Sequence, residues 1–166
     1  MALDFDPIDE AARQWTLRWG YESGAVPAMH AVTSLMRVQQ LVLGELDAIL
    51  KPHDLTFARY EALVLLTFSS RGSLPLGKMG ERLQVHPTSI TSIVQRLAGQ
   101  GLVARLRHPD DGRAVLAEIT DAGRALVEAA TADLVAAQFG LGSLDDEAHK
   151  TLSELLRPVR RAADDA

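Results

Sequence analysis

Cysteine is absent from the 166 residues of the chain, which excludes disulfides, thiolate zinc sites, thiol redox switches and cysteine nucleophiles together. Long apolar runs are missing as well. No stretch approaches the roughly 18 apolar residues of a membrane span, and the acidic start MALDFDPIDE lacks the basic flank and apolar run of a secretory signal. The expectation is a cytoplasmic protein without a membrane partner. Five histidines, His30, His53, His86, His108 and His149, are scattered without metal-ligand spacing, so no metal or other cofactor is expected. G-x-S-x-G, P-loop and G-x-G-x-x-G patterns are also missing, and no catalytic residue is nominated.

Against these absences stands an ordinary globular composition, 47% hydrophobic and 23% charged, which argues against a disordered or fibrous chain. The formal net charge of −5 by itself disfavours a nucleic-acid partner, but its distribution reverses the argument. Between Pro75 and Val115 lie Lys78, Arg82, Arg96, Arg105, Arg107 and Arg113 against only Glu81, Asp110 and Asp111, so the rest of the chain carries −8. A basic segment in an acidic scaffold orients the encounter with phosphates.

Along the chain, Asp6-Pro7 reads as a cap and first-turn proline opening a short helix closed by Gly20, with Ile8, Ala12, Trp15 and Trp19 on one face. Those two tryptophans require burial. After the linker YESGAVP, a long helix is expected from about Pro27 to Leu50, with Val32, Leu35, Val42, Leu46 and Ile49 on its apolar stripe, ended by Lys51-Pro52. Thr56 caps the next helix, which runs into a loop SSRGSLP. Helices over 76–84 and 87–100 follow. Residues 102–119 alternate around the turn His108–Gly112 and read as a β-hairpin with a long tip. Thr120 and Asp121 open a helix reaching Leu141. Ser143 caps the last helix, in which Pro158 is expected to kink or end the regular structure before Arg160 and Arg161.

The segment PLGKMGERLQVHPTSITSIVQRLAGQGLV meets the requirements of a helix-turn-helix, in which one helix braces a second that enters the major groove. Leu76, Met79 and Leu83 line the first inner face and Ile90, Val94 and Leu97 the second. Thr88, Ser89, Thr91, Ser92 and Gln95 are left outside, with short polar groups suited to bases and phosphates. Serine and threonine are mediocre helix formers, and a surface under no other constraint more often carries Glu and Lys. The hairpin adds Arg105, Arg107 and Arg113, positioned like a wing whose arginines enter a minor groove. Asp111 stands close enough to Arg113 to fix its direction.

Taken together, LTFARYEAL, LGKMGERLQVHPTSITSIVQRLAGQGLV, the DDGR tip and EITDAG, spanning Leu55 to Gly123, resemble the MarR family of regulators. The resemblance implies a mainly α fold with a small β-hairpin wing, a winged helix-turn-helix with flanking dimerisation helices. It divides the chain into N-terminal dimerisation helices (1–54), a DNA-binding lobe (55–120) and C-terminal dimerisation helices (121–166). It implies a sequence-specific regulator, a ligand-responsive repressor, that binds an inverted repeat in double-stranded DNA as a homodimer. The DNA-contacting set it implies is His86, Pro87, Thr88, Ser89, Thr91, Ser92, Gln95, Arg96, Arg105, Arg107, Asp111 and Arg113. Where the family often has a capping serine this chain has His86, a weaker cap that offers a phosphate donor.

Many members respond to small aromatic or phenolic anions, for which this chain offers Trp15, Trp19, His30, Met36, His53, Arg59 and Tyr60. Met and aromatic residues on a helix face more often fill the core than hold a ligand. The tryptophan helix is similar to that of the urate-responsive branch, which has aspartate where Glu61 stands and arginine where Ile93 stands, so no ligand is named. The branch that senses peroxides through a thiol is set aside by the absence of cysteine. Two further readings stay open: an architectural or partner-binding winged helix without effector, and an enzyme.

Overall fold

The first helix begins by local chemistry: Asp6 accepts the Ile8 backbone N–H at 2.7 Å, and Pro7 occupies the first turn, where a missing N–H has no consequence. This computed structural model describes residues 4–20, 24–107 and 114–162. Helix α1 (Pro7–Trp19) is followed by α2 (Ala25–Leu50), a 3-10 turn (Lys51–His53), α3 (Phe57–Phe68), β1 (Ser73–Pro75), α4 (Leu76–Leu83) and α5 (Pro87–Gly99). Then come β2 (Val103–Arg107), β3 (Val115–Ile119), α6 (Asp121–Ala136), a second 3-10 turn (Gln138–Gly140) and α7 (Asp146–Ala162). The chain divides into two compact units, Met1–Gly44 and Glu45–Ala166.

In the first unit, α1 buries none of its residues. The predicted burial of the tryptophans is not met within the chain: Trp15 and Trp19 lie 36% and 61% exposed, their rings against each other at 4.6 Å. Arg13 grips Glu10 through two bonds of 2.7 and 2.8 Å and Gln14 adds a third of 2.8 Å, which together hold the Glu10 carboxyl at about 2. His30 Nε2 meets Asp9 Oδ1 at 2.9 Å. Along α2, Val32 and Leu35 of the expected stripe are exposed, as are Met36, Val38, Leu41 and Leu43.

The second unit holds nearly all of the core. Leu50, Leu63, Leu66, Met79, Ile90, Val94, Leu97 and Leu134 are fully buried, each such side chain contributing about 1.5–3 kcal/mol by leaving water. Around them, Ala117 and Ile119 of β3 and Val103 of β2 close the sheet side. Thr120 caps α6 by accepting the Gly123 N–H at 3.1 Å while its hydroxyl donates to the Gly101 carbonyl at 2.8 Å. Thr56 caps α3.

Several local expectations are corrected. The segment SSRGSLP is not all loop, because Ser73–Pro75 form β1, paired antiparallel with β3 in the register Leu74↔Ala117, and the wing is a three-stranded sheet of order β1-β3-β2. Three residues are too few to show a period of two, and Pro75 is tolerated because β1 is an edge strand. Helix α6 stops at Ala136 rather than near Leu141, since Gln138 and Phe139 take positive φ of 48° and 52°. Asp145, not Ser143, caps α7: its carboxylate accepts the Ala148 N–H at 2.8 Å. Pro158 lies inside α7, and Arg160 and Arg161 remain helical beyond it. A proline this near a helix end removes one hydrogen bond without requiring the helix to stop.

Candidate nucleic-acid interface

A tight turn joins α4 to α5. Gln84 adopts the left-handed conformation (φ 54°), the Val85 N–H donates to the Gly80 carbonyl at 3.0 Å, and a Cβ on Gly80 would stand only 3.3 Å from the Val85 carbonyl oxygen. Glycine at position 80 lets the two helices close on each other. Helix α5 is pinned from inside by Ile90, Val94 and Leu97, all buried. The 3.6-residue period therefore turns His86, Pro87, Thr88, Ser89, Thr91, Ser92, Gln95 and Arg96 outward, and all eight are exposed.

Two of these side chains have backbone partners. His86 caps α5, its Nδ1 accepting the Thr88 N–H at 3.2 Å. That bond puts the proton of the neutral ring on Nε2, the nitrogen left to donate to an incoming phosphate. The Thr91 hydroxyl donates back to the Pro87 carbonyl at 2.9 Å, so its proton is already committed to the helix backbone. Pro87, Thr88, Thr91, Ser92 and Gln95 together line a shallow open depression on the α5 surface.

Lys78 and Arg82 on α4, Arg96 on α5 and Arg105 and Arg107 on β2 are exposed, and none makes an ion pair among the described residues. Val103, Arg105 and Arg107 point to one face of β2: Val103 is buried at the root of the hairpin, and the two arginines emerge as the ladder leaves the body, opposite Ala117 and Val115. Asp111 and Arg113, at the expected tip, lie outside the described residues.

The proposed effector residues fall in separate places. In the first unit are the stacked Trp15 and Trp19, His30 on Asp9, and exposed Met36. His30 also lines a depression with Asp9, Arg13, Thr16 and Val26. In the second unit His53 Nε2 bonds Asp133 Oδ2 at 2.6 Å, and Arg59 Nε donates to Thr56 Oγ1 at 3.3 Å. Tyr60 is a core residue, 6% exposed, with its hydroxyl 2.9 Å from Thr131 Oγ1. Glu61, whose outer edge meets solvent, is enclosed enough that desolvation raises its carboxyl above the usual range.

One contact carried no signal in the sequence. Gln100, which closes α5, donates through Nε2 to Asp54, 46 residues earlier, at the carbonyl (3.0 Å) and at Oδ2 (2.7 Å). No spacing rule connects positions so far apart.

Residues 58–115 match the model of the MarR family. Over 97 residues the chain is 33% identical to the uncharacterized HTH-type transcriptional regulator YhbI of Bacillus subtilis (strain 168), a match covering 58% of this chain and 60% of that relative's length. Among solved structures it is similar to Sco5413, a MarR family transcriptional regulator from Streptomyces coelicolor, with 59% identity, a TM-score of 0.79 and coverage of 84% of this chain and 97% of that one. It is also similar to Sco3205, a MarR family transcriptional regulator from the same organism solved in complex with DNA: 25% identity, TM-score 0.72, covering 80% and 84% of the two chains.

Proposed function

The chain belongs to the MarR family of transcription regulators rather than to the enzymes, and from that premise we propose that it binds operator DNA through α5 and the wing to repress transcription in the cytoplasm. One observation carries the reading: α5 presents polar side chains outward over a buried apolar face, and exposed cations from α4 and β2, without ion pairs among the described residues, belong to the same winged unit. Ser89, Ser92 and Gln95 offer hydrogen bonds to base edges, while Lys78 and Arg82 offer charge to phosphates. The solved DNA complex of the related Sco3205 supports it. Asp111 and Arg113 complete the proposed wing contact.

A second copy of this chain is the proposed partner in assembly. Helix α7 has no buried residue along its 17-residue length, yet it carries Leu155 and Val159 exposed, and the first unit leaves a row of α2 side chains uncovered. Apolar faces of this extent seek cover. Division into dimerisation helices (1–54 and 121–166) around a DNA-binding lobe (55–120) accompanies this reading, and two-fold symmetry makes the operator an inverted repeat.

The effector class proposed is a small aromatic or phenolic anion. Its support is the exposed ring faces of Trp15 and Trp19. Because these are the only two tryptophans in the chain, intrinsic fluorescence during titration with 4-hydroxybenzoate reports on α1 directly. Selection from a randomised duplex library tests the DNA reading. An inverted-repeat consensus is the expected result, and sequence-independent coating would overturn it.

A further inference from the structure

Helix α5 ends by its own backbone. Leu102 N–H donates to the Leu97 carbonyl and Gly101 N–H to the Ala98 carbonyl, both at 3.0 Å, with Gly101 at φ 72°. This Schellman arrangement satisfies the helix end without any side chain. The Gln100 side chain is therefore free for another task, and it spends both Nε2 protons on Asp54. Asp54 is itself fixed in the left-handed conformation, φ 52°, with its N–H on the Lys51 carbonyl. The neighbouring His53 ties the same turn to Asp133 of α6.

The other half of the Gln100 carboxamide has no such satisfaction, because Oε1 is buried with no hydrogen-bond partner. Turning the amide over would set Oε1 against the Asp54 carbonyl and carboxylate, acceptor against acceptor, so the orientation is dictated. A buried acceptor left unpaired is a standing penalty. An apolar residue would avoid it, and the bonds to Asp54 are what the amide contributes in return.

We propose that Gln100 is a positioning residue for DNA recognition: it clamps the C-terminal end of α5 to the turn after α2 and so fixes the tilt at which the outward face carrying Ser92, Gln95 and Arg96 is presented. The inference rests on the reading of α5 as the DNA-facing helix.

The test uses the full chain and the duplex that wild type selects from a randomised library. Gln100→Glu opposes two carboxylates and should weaken binding about tenfold or more, the scale of one charge-assisted hydrogen bond. Asp54→Asn alone retains an acceptor for Gln100 and should change little. In the double variant, Asp54→Asn with Gln100→Glu, an amide at position 54 can donate to a carboxylate at position 100 while the backbone carbonyl of residue 54 stays unpaired, so part of the loss should be recovered. A folded Gln100→Glu protein binding within about twofold of wild type, or a double variant as weak as the single, would overturn the proposal. Gln100→Leu removes the clamp and the unpaired oxygen together, so it should keep its thermal midpoint and lose base discrimination. If Gln100→Glu does not fold, unchanged discrimination in Gln100→Leu overturns the clamp. Should wild type select no sequence, the DNA reading fails on its own. Amide exchange over residues 95–100 then decides the clamp, faster in Gln100→Leu supporting it and unchanged refuting it.

Discussion

A side chain at Gly123 would run into the carbonyl oxygen of Leu102, and its Cβ would stand 2.9 Å from Ile119 Cγ1. The Leu102 carbonyl cannot retreat freely, because it accepts the Thr120 N–H at 3.1 Å and so holds the entry to α6. Gly123→Ala is therefore expected to destabilise the fold by about 1–3 kcal/mol, the usual range for forcing atoms into a packed site. In a chain of this size that lowers the thermal midpoint by several degrees. An unchanged midpoint in a calorimetric scan would show that the first turn of α6 yields.

Reading of bases and binding of phosphates should fail differently. Gln95→Ala removes one exposed amide on the outer face of α5, and a bidentate base contact is worth about 1–3 kcal/mol of discrimination, so one operator position should relax. Lys78→Ala or Arg82→Ala should weaken all sequences alike and reduce the salt slope by about one. Binding of each variant to a randomised library at two salt concentrations separates them. Uniform weakening by Gln95→Ala would mean that this side chain does not read a base.

Assembly is tested on α7. Leu155 and Val159 are 68% and 64% exposed on a helix with no buried residue, so a charge there costs the isolated chain little but is costly once covered by a partner. Leu155→Glu is expected to shift sedimentation from twice the chain mass toward the chain mass at micromolar concentration, with helical content retained. A dimer of undiminished stability would place the interface elsewhere.

Glu61 gives a pH signature. Its folded carboxyl titrates above the usual range because partial burial disfavours the charge. The folded state then holds more proton than the unfolded state in that window, so the contribution of Glu61 to stability is full below the ordinary carboxylate range and is lost as pH rises through the raised value. Glu61→Gln should raise the midpoint slightly at neutral pH, with the gain vanishing in acid. Equal midpoints at every pH would mean that the carboxylate is as well solvated folded as unfolded.

Much of the site was legible before the structure because it rests on local periodicity. Ile90, Val94 and Leu97 recur at steps of four and three, which is sufficient to turn Ser92 and Gln95 outward once α5 forms. The caps at Asp6, Thr56 and Thr120 are also local, each a side chain serving a backbone N–H two or three residues away. His86 caps α5 in the same local way, with a ring nitrogen in place of a hydroxyl.

Other features depend on distance in the chain and left no trace in spacing. Strand β1 exists because Leu74 finds Ala117 on β3, and three residues by themselves have no preference strong enough to announce it. The stop of α6 at Ala136 depends on left-handed residues at Gln138 and Phe139, types not suited to that conformation by their own chemistry. The sequence by itself determined the order of helices, the outward face of α5 and the absence of any thiol chemistry, since each follows from residue type and period. Only the tertiary structure decided that Gln100 meets Asp54, that Gly123 fits beneath Leu102 and that Tyr60 belongs to the core. Contacts between residues remote in sequence are chosen by how whole elements pack, a property of the assembled chain and not of any window along it.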